Sequence, residues 1–467
     1  MTATLAPASD SGEFHPAGPG RVDVDGLAPG GQLTLLGPAQ LGLDGRAYAT
    51  GRPDERSEES SLGPLHGLSA SAEAGTLRWA RQTAMWELLG PLSPLLPGLK
   101  GERVAKCCKV RCGRPGSEVA MLRSESGAWS VTGCVICGNA HVCPLCAYRR
   151  AKQAAVELSA AFERHLATGR YADAWLGSFT APHHRVDDWS LFVRRLLAAW
   201  ATLQGDPAFR RWRRRWGLRP IVRVLDDTIG GNGLHAHFHV ALLPTRASWA
   251  GIPIRGKCDE DRAAHLEWLT DELRPMWRRA CERAGFVCPP DFDAHGVDVT
   301  GAELDGVAQY FCKWGFSEEV ALSPSKGGRT HWNLLDEYRA GDYTAGRDFV
   351  RYYEATKGVA VVTGLARLLA DLEIGEDDVE AHRAELRARR QKQLAELGEE
   401  LHVVRELRVH IAPWLHARAL SLGWATLAQL ADDVDAAGGA VQSEIDRVLM
   451  SHRTRREATR GPPGDTS

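Results

Sequence analysis

Apolar and polar residues alternate most regularly between 221 and 243, and the same stretch carries the chain's densest chemistry. Ile221-Val-Arg-Val-Leu-Asp-Asp-Thr-Ile229 reads as a strand, and so does His235-Ala-His237-Phe-His239-Val-Ala-Leu242. Between them Gly230-Gly-Asn232-Gly233 makes a hairpin the default connection. Side chains of a strand alternate faces, so His235, His237 and His239 project to one side and Ala236, Phe238 and Val240 to the other. With the turn centred on Gly231-Asn232, Asp226 pairs with His237, Thr228 with His235 and Val224 with His239. A carboxylate then sits among three imidazoles, a geometry suited to a metal ion or a phosphate.

The flanking pattern predicts a strand near 174–181, helices near 189–216, a helix over 260–284 and a strand near 296–300. Thr300-Gly-Ala-Glu303 reads as a capping box opening a helix that runs through Tyr310-Phe-Cys-Lys313-Trp314. Tyr310 and Lys313 are three apart and share a face of that helix. A phenol titrates near about 10 and is a poor nucleophile at neutral pH, so an adjacent cation such as Lys313 is what would favour its phenolate. This order of elements predicts an α+β fold, an antiparallel sheet backed by helices. Beyond about 375 the chain turns helical and highly charged: one exposed or self-associating helix over 377–400, then two or three shorter amphipathic helices over 401–449, broken near Gly423 and Gly438-Gly439. The last fifteen residues and the Gly/Pro/Ala/Ser-rich first 75 are expected to lack structure.

Cysteine usage adds a second centre. The chain has 11 Cys, seven of them between 107 and 146, and a start without a basic region and apolar core, which argues for metal or free thiols rather than a disulfide framework. Cys134-x-x-Cys137 and Cys143-Pro-Leu-Cys146 have the spacing of two zinc knuckles, with Cys112 in place of Cys134 as the alternative because the gap between the knuckles is short. Four thiolates close a coordination shell, so the role expected of Zn²⁺ here is structural. Cys258, Cys281, Cys288 and Cys312 are scattered and read as core or incidental positions.

Two enzyme chemistries use a His-x-His-x-His strand. In a histidine-triad nucleotide hydrolase or transferase the middle histidine attacks a phosphoanhydride. In an HUH endonuclease two histidines flanking one hydrophobic residue, here His237-Phe238-His239, hold a divalent ion on the scissile DNA phosphate, and a tyrosine elsewhere is the nucleophile. Four successive stretches over about 103–370 favour the second: Leu176-Gly-Ser-Phe-Thr180-Ala-Pro, then Arg223-Val-Leu-Asp226 with the histidine strand, then Tyr310-Phe-Cys-Lys313-Trp314, then Lys326-Gly-Gly-Arg-Thr330 through Tyr352 to Lys357-Gly358. In these the chain resembles the rolling-circle replication initiators (Rep proteins) of bacterial plasmids, of the single-tyrosine HUH type. The resemblance implies the HUH fold, a 5′-phosphotyrosine intermediate on Tyr310, a free 3′-hydroxyl that primes replication, and Mg²⁺ or Mn²⁺ as phosphate clamp. It implies His237 and His239 as metal ligands, with Asp226 or His235 as the third. Many relatives carry a glutamate four residues before the tyrosine; here that position is Gly306, and Glu303 lies about 10 Å down the helix, which leaves the group that ends the cycle unassigned. A conjugative relaxase or transposase shares this chemistry, and a non-enzymatic zinc-containing DNA-binding regulator is the reading from outside enzymology.

Net charge is −2, yet Phe209-Arg-Arg-Trp212-Arg-Arg-Arg-Trp216 concentrates Arg210, Arg211, Arg213, Arg214 and Arg215 around two tryptophans. DNA binding needs only a local basic surface, so these arginines are expected to contact phosphates or to form a solvated helix face, while the tryptophans seat the helix on the sheet. The expected organisation is a lead over 1–75, a helix and zinc module over 76–150, a nicking and strand-transfer domain over 151–375, and a helical region over 376–467. Expected partners are single-stranded or cruciform plasmid origin DNA, a host helicase and replication machinery, with the C-terminal helices binding DNA, a second subunit or nothing. No run reaches 18 apolar residues, so no membrane is expected and the cytoplasm is the default location.

Overall fold

A computed structural model describes residues 68–396 and 407–459, apart from 302–328 and the short segments 92, 94, 96–102, 114–117, 124–128, 170–171, 186, 247, 250–251 and 254–258. Five antiparallel strands form the main sheet: β3 (Trp175–Thr180), β4 (Val222–Gly230), β5 (Gly233–Leu242), β6 (Val297–Gly301) and β7 (Val362–Thr363), in the order β6-β3-β5-β4-β7. The hairpin has the expected register, with Asp226 opposite His237, Thr228 opposite His235 and Val224 opposite His239. Gly233 at the turn holds a φ of +84°, a left-handed value that glycine adopts without strain.

One face of this sheet is aromatic. Phe179 of β3 and Phe238 of β5 meet Trp200 of α3 (Trp189–Gly205) edge-on at 5.4 and 5.6 Å, and Phe179 meets Trp277 of α5 (Asp259–Arg283) at 5.4 Å. Each such pair adds about 1 kcal/mol beyond area burial. α4 (Pro207–Trp216) caps this layer by burying Phe209, Trp212 and Trp216. The other face is split. Leu176, Val222, Val224 and Ala241 pack against Ala154, Leu158 and Phe162 of α2 (Pro144–Ala167) and against α8 (Leu365–Asp371). The polar residues of the hairpin lie farther along the same strands, toward the turn.

A second sheet joins distant parts of the chain. β1 (Val119–Arg123) pairs on one edge with β2 (Trp129–Thr132) and on the other with β8 (Leu407–Ile411), both antiparallel. β8 falls where helices were expected; Leu407-Arg-Val-His-Ile411 alternates with period two, and Val409 and Ile411 are buried. Arg123 is buried and bonds Asp432 and Asp435 at 2.8 and 2.5 Å, while Trp129 Nε1 donates to Asp432. α1 (Leu68–Leu89), α6 (His331–Arg339) and α7 (Tyr343–Thr356) tie this module to the main sheet, with Arg81 of α1 bonded to Asp336 of α6 at 2.6 Å. The cysteine-rich segment and the C-terminal region, expected as separate segments, therefore share one sheet.

α1 begins at Leu68, inside the segment expected to lack structure, and α12 (Val441–Thr459) runs into the last fifteen residues. α9 (Glu376–Glu396) is not freely exposed: His382 Nε2 lies 2.9 Å from Ser159 Oγ on α2, and Arg383 donates to Gln153 at 2.7 Å. α10 (His416–Leu422) and α11 (Trp424–Ala436) follow β8, with the expected breaks at Gly423 and Gly438-Gly439. No helix among the described residues is long and apolar enough to cross a membrane.

Candidate metal centres

The hairpin register brings three donor atoms together. Nε2 of His237 lies 2.7 Å from Nε2 of His239, and each is 3.5 Å from Oδ2 of Asp226. Their ligand atoms could hold one metal ion. His235 stands apart from this trio: its Nδ1 faces the ring nitrogens of His183 at 3.3 Å and the two rings lie 4.5 Å apart. Of the two residues left open for the third position, Asp226 is the one grouped with the two histidine nitrogens. Burial pushes the His237 imidazole down to about 3, with His235 adding to the effect, so the ring is neutral at neutral pH and one of its nitrogens keeps a lone pair. His235 is pushed down to about 4 by burial and by His183.

Ser178 was not singled out from the sequence, yet it orients His239. Ser178 lies directly opposite His239 across the β3–β5 pairing, and its Oγ is 3.1 Å from Nδ1. An Nδ1–H that donates to Ser178 leaves Nε2 as the ligating nitrogen. The signal was present in the polar Ser178 and Thr180 two apart on a strand, but the pairing that gives it meaning spans 61 residues.

Asp227 serves the opposite face of β4. It accepts from Tyr352 Oη at 2.7 Å and pairs with His331 Nδ1 at 3.0 Å, while His331 stacks on Tyr352 at 4.4 Å and His141 Nδ1 lies 3.2 Å from the Tyr352 hydroxyl. Burial works to raise the Asp227 carboxyl, but His331 and Tyr352 outweigh it and hold it below its ordinary range. This network pins β4 to α6 and α7 and so fixes the strand that presents Asp226.

Four sulfurs form the second candidate centre, those of Cys107, Cys137, Cys143 and Cys146; Cys134 and Cys112, which the sequence offered, lie outside this group. The sulfurs of Cys107 and Cys146 are 3.7 Å apart, Cys137 and Cys146 3.4 Å, and Cys143 and Cys107 3.5 Å. A tetrahedron of Zn–S bonds has edges of about 3.8 Å, so the set fits Zn²⁺ in size as well as in chemistry. Residues 108–112 pair with 133–135 through Cys108 N to Val135 O and Cys112 N to Gly133 O. That ladder directs Cys134 toward His416 Nε2 at 3.8 Å and sets Cys107, just before it, against the Cys143-Pro-Leu-Cys146 knuckle. Hydrogen bonds from Cys108, Cys137, Cys143 and Cys146 hold Cys107 far below the thiol range, whereas Cys137 is raised by Cys107 and Cys143 by burial. Cys146 is lowered as well, and a bound cation would favour the deprotonated form of all four.

A third group, Glu163, His382 and Glu385, is bridged by Arg389, which donates to both carboxylates, so an ion-pair network accounts for it. Of the arginines expected to meet phosphate, Arg210, Arg211, Arg214 and Arg215 are exposed and Arg213 is half-buried. Arg215 pairs with Glu272 at 2.9 Å, and Arg213 donates to Gln204 at 3.2 Å. Tyr310, Lys313, Gly306 and Glu303 lie outside the described residues; Thr300, expected to cap their helix, belongs to β6.

An antiparallel sheet whose central hairpin presents two histidines and an aspartate, beside a four-cysteine module, defines a candidate metalloprotein of α+β class. The chain is similar to "Protein rep" of Streptomyces lividans, 26% identical over 274 residues, which covers 50% of this chain and 59% of that protein. No protein-family model matches the chain, and no solved structure matches it.

Proposed function

We propose that the protein is a replication initiator of the Rep type that nicks origin DNA through HUH chemistry. What carries this is the trio Asp226, His237 and His239, gathered on one face of the central hairpin in a chain similar to a protein named for replication. In this reading Asp226, His237 and His239 hold Mg²⁺ or Mn²⁺, which when bound polarises the scissile phosphate and offsets its charge. Ser178 holds His239 in the ligating tautomer, and Asp227 with Tyr352 holds the strand. The oxygen of Tyr310 forms a bond to phosphorus, the 3′ oxygen departs and takes a proton, and the products are a 5′-phosphotyrosine and a free 3′-hydroxyl. Lys313 favours the phenolate. The module of Cys107, Cys137, Cys143 and Cys146 takes a structural Zn²⁺, since four thiolates leave no position for substrate.

The histidine-triad alternative needs His237 as a nucleophile. Its Nε2 instead faces His239 Nε2 at 2.7 Å beside a carboxylate, an arrangement of ligands. A relaxase or transposase would share the site, and the position of the gene beside a plasmid origin distinguishes them. The deciding experiment incubates the full chain with labelled single-stranded DNA from its own replicon, with Mn²⁺ or EDTA, and maps the adducted peptide. An adduct at Tyr310 that needs the metal and is lost in Tyr310→Phe is expected; no adduct at Tyr310 overturns the reading.

A further inference from the structure

The face of the sheet away from the histidines carries, besides the Asp227 network, a buried cation. Arg223 of β4 is 8% exposed, and its guanidinium lies 4.3 Å from the Phe238 ring centre and 5.7 Å from that of Trp200. Its Nε has no hydrogen-bond partner among the described residues, and no described carboxylate pairs with it. Burial pushes it down to about 10. Withdrawing a cation from water without a counter-charge is costly, and aromatic faces offset only part of that cost.

Arg223 lines a cavity of about 690 Å³ together with Trp200, Gln204, Arg213 and Arg367. A second cavity, of about 450 Å³, shares Arg213 and adds Arg210, Arg214 and Arg246. Neither is lined by an aspartate or glutamate. Six guanidinium groups around two cavities with a common wall form a basic track longer than one small anion needs, in a chain whose net charge is −2. Arginine's planar fork matches the paired oxygens of a phosphate. Trp200 is the aromatic in these walls and is itself buried, so the track offers charge without a platform on which an unpaired base could stack.

We propose that this groove, centred on Arg213, Arg223 and Arg367, binds the phosphodiester backbone of duplex DNA flanking the segment presented to the histidine face. The identity of the anion's carrier rests on the DNA-nicking reading; the groove itself does not. Gly364 keeps the floor of the groove in place, because a Cβ there would lie 2.0 Å from the Ile221 carbonyl oxygen, and its φ is +89°.

The test measures binding of the full chain to a labelled mixed-sequence duplex by fluorescence anisotropy across a KCl series. Arg213→Gln and Arg367→Gln are each expected to weaken binding about tenfold at low salt and to lower the slope of log affinity against log salt by about one. Arg223→Lys keeps the charge but not the fork, and an intermediate loss is expected. Mn²⁺ binding at the histidine site, followed by electron paramagnetic resonance, should be unchanged in all three and reports that they are folded. Unchanged salt slopes overturn the proposal, as does a larger loss on single-stranded than on duplex DNA. Displacement of the duplex by inorganic phosphate beyond the effect of chloride at matched ionic strength would assign the groove to a small phosphorylated ligand instead. A protein that forms no adduct at Tyr310 but shows the reduced slopes loses the nicking reading and keeps the groove.

Discussion

Asp226 and Asp227 are neighbours in the chain and work on opposite faces of one strand, the first toward His237 and His239 and the second into a buried network with Tyr352 and His331. Alternation along β4 makes this division unavoidable. It follows that substitutions at the two positions fail differently. Asp226→Asn is expected to abolish measurable Mn²⁺ binding while the melting temperature stays within a few degrees, because Asp226 is only partly buried. Ser178→Ala should weaken Mn²⁺ binding by about 10–100-fold, the usual loss when a ligand's orienting partner is removed, and His235→Ala should change it little. Calorimetric titration with Mn²⁺ separates these cases; a His235→Ala loss as large as that of Asp226→Asn would reverse the assignment of the third ligand.

The network behind Asp227 also sets a pH dependence. Burial pushes His141 down to about 4, below its value near 6.5 in the unfolded chain. Between those values the unfolded state binds the extra proton and the folded state does not, so stability is full above about 6.5 and falls as pH falls toward 4. The contribution at stake is about 3 kcal/mol. Urea unfolding at pH 7 and pH 5 should show a smaller difference in His141→Gln than in the parent chain; equal differences would mean that His141 is not the titrating group.

At the scale of elements, what could be read from the chain divides by how far apart the partners lie. The hairpin was legible to the residue because Gly231-Asn232 sets its register locally and period two does the rest. The helices over 189–205, 207–216 and 259–283 and the strand at 297–301 were legible from periodicity. Ser178 opposite His239, and Cys107 beside Cys143, depend on pairings across 61 and 36 residues, which periodicity does not encode. The knuckle spacing put Cys137, Cys143 and Cys146 in one group, as the sulfur cluster does, but offered Cys134 in place of Cys107, since adjacency in sequence cannot show that a ladder turns Cys134 toward His416. Zinc analysis of purified protein should give one equivalent in the parent chain and in Cys134→Ser, and less than half in Cys107→Ser. Loss of zinc from Cys134→Ser alone would restore the sequence-based set.

For the whole molecule, β8 is the consequential strand, because it joins the C-terminal region to the sheet of residues 119–132. β1 has β2 on one edge and β8 on the other, and the buried Arg123 finds both of its carboxylates, Asp432 and Asp435, on α11. Trp424 Nε1 donates to the carbonyl of Cys108, beside the sulfur cluster. A chain ending at residue 400 would leave β1 with an open edge, Val119 and Met121 without the apolar residues of β8 and α11, and Arg123 without either of its carboxylates. The truncated protein is therefore expected to be cut rapidly by protease within 103–146 and to hold zinc weakly, even though every proposed zinc and catalytic ligand is still present. Asp432→Asn with Asp435→Asn in the full chain isolates the ion-pair share, and should lower the melting temperature without lowering zinc content. A truncated chain that resists protease and retains a full equivalent of zinc would show that the N-terminal module folds by itself and that β8 is an addition to it.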